Sequence, residues 1–181
     1  MLPLVLKTIV TEIGQRLENA EPFTWVTDTP TDDDLNHIRK QAEESEFDTL
    51  KLRETMLKDL NAGRASLVCK SGPYAKVLAI VHPDTTIPWD RFSAIFQAFG
   101  ESTKAQSAKP RRPWRIVWFA HPSPRTVPVN HENGEAPRPE HLNGGYTYPC
   151  DSSTIVIYRK EEVCRVLIHE LLHAACTDDM T

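Results

Sequence analysis

The chain has 181 residues, 40% apolar and 25% charged, with a formal net charge of −4. No stretch approaches the ~20 apolar residues of a transmembrane helix, and the opening Met1–Leu6 run is cut by Lys7 before it reaches signal-peptide length. Four cysteines are too few for a disulfide scaffold, so the expectation is a cytoplasmic protein with reduced thiols and no membrane partner.

The first twenty residues place Leu4, Leu6, Ile9, Val10, Ile13 and Leu17 at helical spacing. Thr31 followed by Asp32, Asp33 and Asp34 is a helix start, a cap residue and then acids over the N-terminal dipole. That helix is expected to run to about Leu60 with a break near Glu46, and Asn61-Ala62-Gly63 ends it. The period then changes. Ala65–Lys70 and Ala75–Val81, joined through Gly72-Pro73, read as a hairpin. Pro88 opens another helix that ends at Gly100. Residues 101–113 read as a basic linker, Trp114–Ala120 as a third strand with Trp114 and Trp118 on its core face, and Ser153–Arg159 as a fourth. Between these strands, residues 121–150 hold 6 of the 14 prolines, which predicts a long functional loop. Lys160 starts a final helix.

Charge is unevenly spread. Residues 18–62 carry 12 acidic and 5 basic side chains, whereas 102–131 contain no acid and six cations, among them Arg115 and Arg125. Such a run suits a phosphate or an acidic partner, or is a solvated loop. A nucleic-acid reader would show a more basic domain and a recognisable module. Neither is evident, so nucleic acid is not the expected partner.

The chemistry lies in the last helix, in Val166-Leu-Ile-His169-Glu170-Leu-Leu-His173-Ala-Ala. Its pattern is H-E-x-x-H. Positions four apart share a helix face about 6 Å apart, so two imidazoles there can reach one zinc at about 2.0–2.1 Å. Glu170 points about 100° away from His169, where it can act as general base toward a metal-activated water. The flanking residues are uncharged, and buried polar groups in an apolar helix need a reason. The competing reading makes His169 and His173 core histidines.

These residues resemble the zincin metallopeptidases. With Asn143-Gly-Gly-Tyr-Thr and Ile155-Val-Ile-Tyr, the segment is also similar to zincin-like proteins of large DNA viruses. The resemblance implies a hydrolase with Zn2+ as cofactor, a peptide or protein substrate, His169 and His173 as ligands and Glu170 as base. It implies that Ser153–Arg159 is the edge strand that pairs with substrate, and that a tyrosine such as Tyr146 or Tyr148 stabilises an oxyanion, although both also read as packing residues. Zincins use a third protein ligand. Asp179 has the spacing of one zincin branch, with Cys176 where that branch has glycine. Asp178, His131, His141, or a ligand beyond a truncated C-terminus are the alternatives. The resulting expectation is an α+β fold. It comprises an N-terminal helical region over 1–63 and a zincin-like region over 64–181, with a small mixed sheet of about four strands and a C-terminal active-site helix. The alternative to an enzyme is a non-catalytic zincin-like binding or structural protein.

Overall fold

A computed structural model describes residues 4–43, 48–104, 113–125, 143–150 and 153–175, with side chains excluded for 4–10 and 102–104. Five helices and six strands lie within them: α1 (Leu4–Asn19), β1 (Val26–Thr27), α2 (Asp32–Gln41), α3 (Leu52–Asn61), β2 (Ser66–Ser71), β3 (Ala75–Val81), α4 (Trp89–Lys104), β4 (Trp114–Phe119), β5 (Gly145–Thr147), β6 (Ile155–Ile157) and α5 (Val163–Ala174).

The strands form one mixed sheet in the order β1-β2-β3-β4-β6-β5. The β1–β2, β2–β3 and β5–β6 pairs are antiparallel; β3–β4 and β4–β6 are parallel. Parallel neighbours need a crossover, and α4 supplies the one between β3 and β4. The three central strands are apolar on both faces, as strands covered by helices on each side must be. Val77, Ala79, Trp114, Ile116, Trp118, Ile155 and Ile157 pack with residues of α1, α4 and α5. Leu78, Ile80, Val117, Phe119, Val156 and Tyr158 pack with Ile38 of α2 and Leu52 and Met56 of α3. Trp114 and Trp118 thus take the core face read from the sequence, and the Trp118 indole donates to Arg159 O at 2.9 Å.

Mixed helix and sheet were expected, but six strands replace the expected four. The additional two, β1 and β5, are two and three residues long, too short for period-2 alternation to register. The helix expected over 31–60 is two helices. Thr31 begins α2 with a capping box: its hydroxyl accepts from Asp34 N at 3.2 Å and the Asp34 carboxylate accepts from Thr31 N at 2.9 Å. At α3 the cap comes from further back. Lys51 is left-handed (φ 55°) without a side-chain cap, and the Asp48 carboxylate accepts from Leu52 N and Arg53 N, both at 3.0 Å.

Two other expectations are corrected. Ile155–Ile157 is an interior strand between β4 and β5, so Ser153–Arg159 is not the sheet edge; β5 is. Cys150 is disulfide-bonded, while Cys69 and Cys164 are free thiols; Cys176 lies outside the described residues. No described helix is long and apolar enough to cross a membrane.

Candidate metal and hydrolytic site

The site is built on α5. Its buried stripe is Val163, Val166, Leu167, Glu170, Leu171 and Ala174, the i, i+3, i+4, i+7 pattern of a helix laid on a sheet. Glu170 is therefore the one charged residue in an apolar stripe, 6% exposed. The histidines lie beside that stripe, His169 exposed and His173 half-buried. The expectation that both histidines and the glutamate are buried together is corrected here: only Glu170 is buried. Burial pushes its carboxyl up to about 7, against a small opposing pull from His173. That range suits a general acid–base near neutrality.

His169 and His173 converge. Their Nε2 atoms are 3.2 Å apart, with ring centroids at 4.7 Å and planes at 85°. Two nitrogens about 2.05 Å from one tetrahedral zinc are about 3.3 Å apart. The pair has the spacing of one edge of that tetrahedron, and imidazole nitrogen is a preferred zinc donor. The donor set fits zinc as far as it goes. Among the described residues, no third His, Cys, Asp or Glu completes a metal-binding group. Asp178, Asp179, His131 and His141 all lie outside those residues.

Opposite α5 the cleft wall comes from the two ends of the proline-rich segment. Arg125, Asn143, Gly144 and Gly145 line a cavity of about 250 Å³ with Val166, His169 and Glu170, and Arg165 sits at its rim. The segment was expected to wall the cleft and its ends do so; 126–142 lie outside the described residues. Gly145 permits the close approach. A Cβ there would lie 2.7 Å from Val156 O, 2.8 Å from Val166 Cγ1 and 3.5 Å from Glu170 Cγ. Beyond β5, Cys150 N donates to His173 O at 3.0 Å, joining this wall to the last turn of α5.

Arg159 holds the wall from behind. Its guanidinium is buried and donates to Ser123 O and Pro124 O at 2.9 Å and to Asn143 O at 3.3 Å. Spacing cannot reveal Arg125, Gly145 or Arg159, because tertiary folding alone brings them to the helix. The one local cue was Gly144-Gly145 ahead of Tyr146 and Thr147.

The tyrosines resolve as packing and surface residues. The Tyr146 hydroxyl donates to Gln41 Oε1 and accepts from Arg53 Nη1, both at 2.7 Å; it lies on the sheet face opposite α5, among the α2–α3 side of the core. Tyr148 is 65% exposed and does not line the cleft. Of the basic run, Arg115 pairs with Asp33 at 3.0 Å and Arg125 faces the cleft.

Comparison with protein-family models, with curated proteins and with solved structures finds no match.

Proposed function

We propose that this chain is a zinc-dependent metallopeptidase with His169 and His173 as zinc ligands and Glu170 as general base. The observation that carries the reading is the 3.2 Å convergence of two Nε2 atoms on the helix that also carries a buried, cleft-lining glutamate. When bound, zinc supplies Lewis acidity toward a scissile carbonyl and toward water. The histidines hold the metal. Glu170 takes a proton from the attacking water and returns it to the leaving amine. Gly145 brings β5, the terminal strand of the described sheet, against the same helix, and an extended peptide could add to such a strand. Asp179 is the third ligand in this reading.

The experiment separates metal holding from proton transfer. Zinc content after dialysis and hydrolysis of a quenched peptide library are measured on wild type and variants. Glu170→Gln is expected to keep zinc and lose about 10²–10⁴-fold or more in rate. His169→Ala and His173→Ala are expected to lose both, and Asp179→Ala to weaken zinc retention. A wild-type chain that holds no zinc would return both histidines to the structural reading.

The second reading is a non-catalytic zincin-like binding or structural protein. Zinc held without hydrolysis would select it.

A further inference from the structure

Arg125 is placed in the cleft for a reason that proton transfer and metal binding do not supply. Its backbone N–H donates to the Glu161 carboxylate, two residues before α5 begins. Its Nη2 lies against Gly144, where a Cβ would come within 2.8 Å of it. Its Nε is buried and has no hydrogen-bond partner among the described residues. Glu162 Oε2 forms a long ion pair with Arg125 Nη2 at 3.9 Å, beyond hydrogen-bond reach, while Oε1 of the same carboxylate accepts from Arg165 at 2.9 Å. Glu162 is thus shared between Arg125 and the rim arginine, with its hydrogen bond going to Arg165. What remains is an arginine side chain, 27% exposed, that lines the cavity containing His169 and Glu170.

Guanidinium donors are planar and fixed, and their best acceptor is a carboxylate held by two parallel N–H···O bonds. Buried donors are normally satisfied, and among the described residues the Arg125 Nε is not, while the side chain lines the cleft. We infer that Arg125 is the specificity residue of this site and that it recognises a carboxylate of the substrate, either an acidic side chain near the reacting bond or the C-terminal carboxylate. This rests on the peptidase reading for the position of the bond, but the carboxylate subsite itself does not depend on hydrolysis.

Two measurements on the full zinc-loaded chain test it. The first digests a proteome-derived peptide library and reads cleavage sites by mass spectrometry. Enrichment of Asp or Glu at one subsite identifies a side-chain carboxylate. Cleavage at a fixed distance from a free C-terminus, lost when the peptides are amidated, identifies the terminal one. Either preference should fall about tenfold or more in Arg125→Gln, and Arg125→Lys, which keeps the charge but not the fork, should recover only part of it. The second needs no turnover and no variant. Phenylglyoxal modification of wild type, mapped by mass spectrometry, should show Arg125 protected by N-acetyl-glutamate but not by N-acetyl-glutamine diamide. Protection without cleavage would overturn the peptidase reading and keep the carboxylate subsite. Cleavage indifferent to acidic residues and C-termini, or equal labelling of Arg125 with and without carboxylate, would overturn the inference and leave the peptidase reading standing. Neither cleavage nor protection would overturn both.

Discussion

Gly145 shows how closely the wall and the helix fit. A methyl group there meets a backbone carbonyl, Val156 O, at 2.7 Å and Val166 Cγ1 at 2.8 Å, and backbone cannot swing aside. Gly145→Ala is therefore expected to cost about 1–3 kcal/mol, read from urea unfolding. Gly144→Ala is the contrast. Its methyl meets the far end of the Arg125 side chain at 2.8 Å, which can yield, and Val166 Cγ2 only at 3.3 Å, so its cost should be smaller than that of Gly145→Ala. An equal cost for the two would mean that β5 does not pass over α5 as described. At this scale the histidine–glutamate triplet was legible, because four-residue spacing on a helix is a local property. Gly145 and Arg125 were not, because their meaning depends on a neighbour far away in sequence.

Among the elements, α2, α3 and β5 are joined by one buried cation. Arg53 donates to the Asp48 carboxylate at 3.0 Å, to Gln41 O at 2.6 Å, to Glu43 O at 3.1 Å and to the Tyr146 hydroxyl at 2.7 Å. The side chains of Arg53 and Asp48 are each 2% exposed. Arg53→Met should cost about 3–5 kcal/mol, since it leaves Asp48 buried without its cation. Tyr146→Phe should cost only about 1 kcal/mol and leave peptide turnover unchanged; a tenfold fall in turnover would restore Tyr146 as a candidate for the oxyanion role.

Asp34 links α2 to the sheet by accepting from Lys76 Nζ at 2.6 Å. Burial alone would raise its carboxyl, but the Lys76 and Thr31 hydrogen bonds outweigh it and hold the pKa below the ordinary 3.8. A carboxylate depressed on folding contributes stability above its unfolded pKa and loses that contribution as pH falls through the folded one. Asp34→Asn should therefore be less stable than wild type at pH 7, with the gap closing below about pH 4. Urea midpoints at the two pH values check this, and a gap that stays constant would remove Asp34 from the acid response. The capping box was readable from Thr31-Asp-Asp-Asp34. The Asp48 cap was not, since it lies three residues before the left-handed Lys51.

Across the whole molecule, the cleft depends on a residue that never faces it. Arg159 follows β6 and gathers Ser123 O, Pro124 O and Asn143 O, the two ends of the proline-rich segment. Lys160 N adds a bond to His121 O at 2.9 Å. Arg159→Met should cost about 3 kcal/mol by removing the charged hydrogen bonds that a buried guanidinium makes to the two loop ends. In a peptidase assay it should raise KM more than it lowers kcat, because the wall moves while Glu170 remains on α5. An unchanged KM would show that the wall is held without Arg159.

The sequence by itself determined what repeats within a few residues: the apolar runs of β3, β4 and β6, the capped start of α2, and the convergence of His169 with His173. These follow from backbone periodicity and short-range hydrogen bonding, which neighbours in the chain impose. Only the tertiary structure decided that β5, not the strand before the helix, is the sheet edge. Three residues with no apolar alternation carry no periodic signal, and their place depends on pairing with β6. Tertiary structure likewise decided that Glu170 is buried, His173 half-buried and His169 exposed, since helix spacing sets which residues share a face but not which face meets the sheet. It also brought Arg125 to the site, across the 44 positions that separate it from His169, through contacts with Glu161, Gly144 and the Arg159-held loop ends that no local pattern encodes.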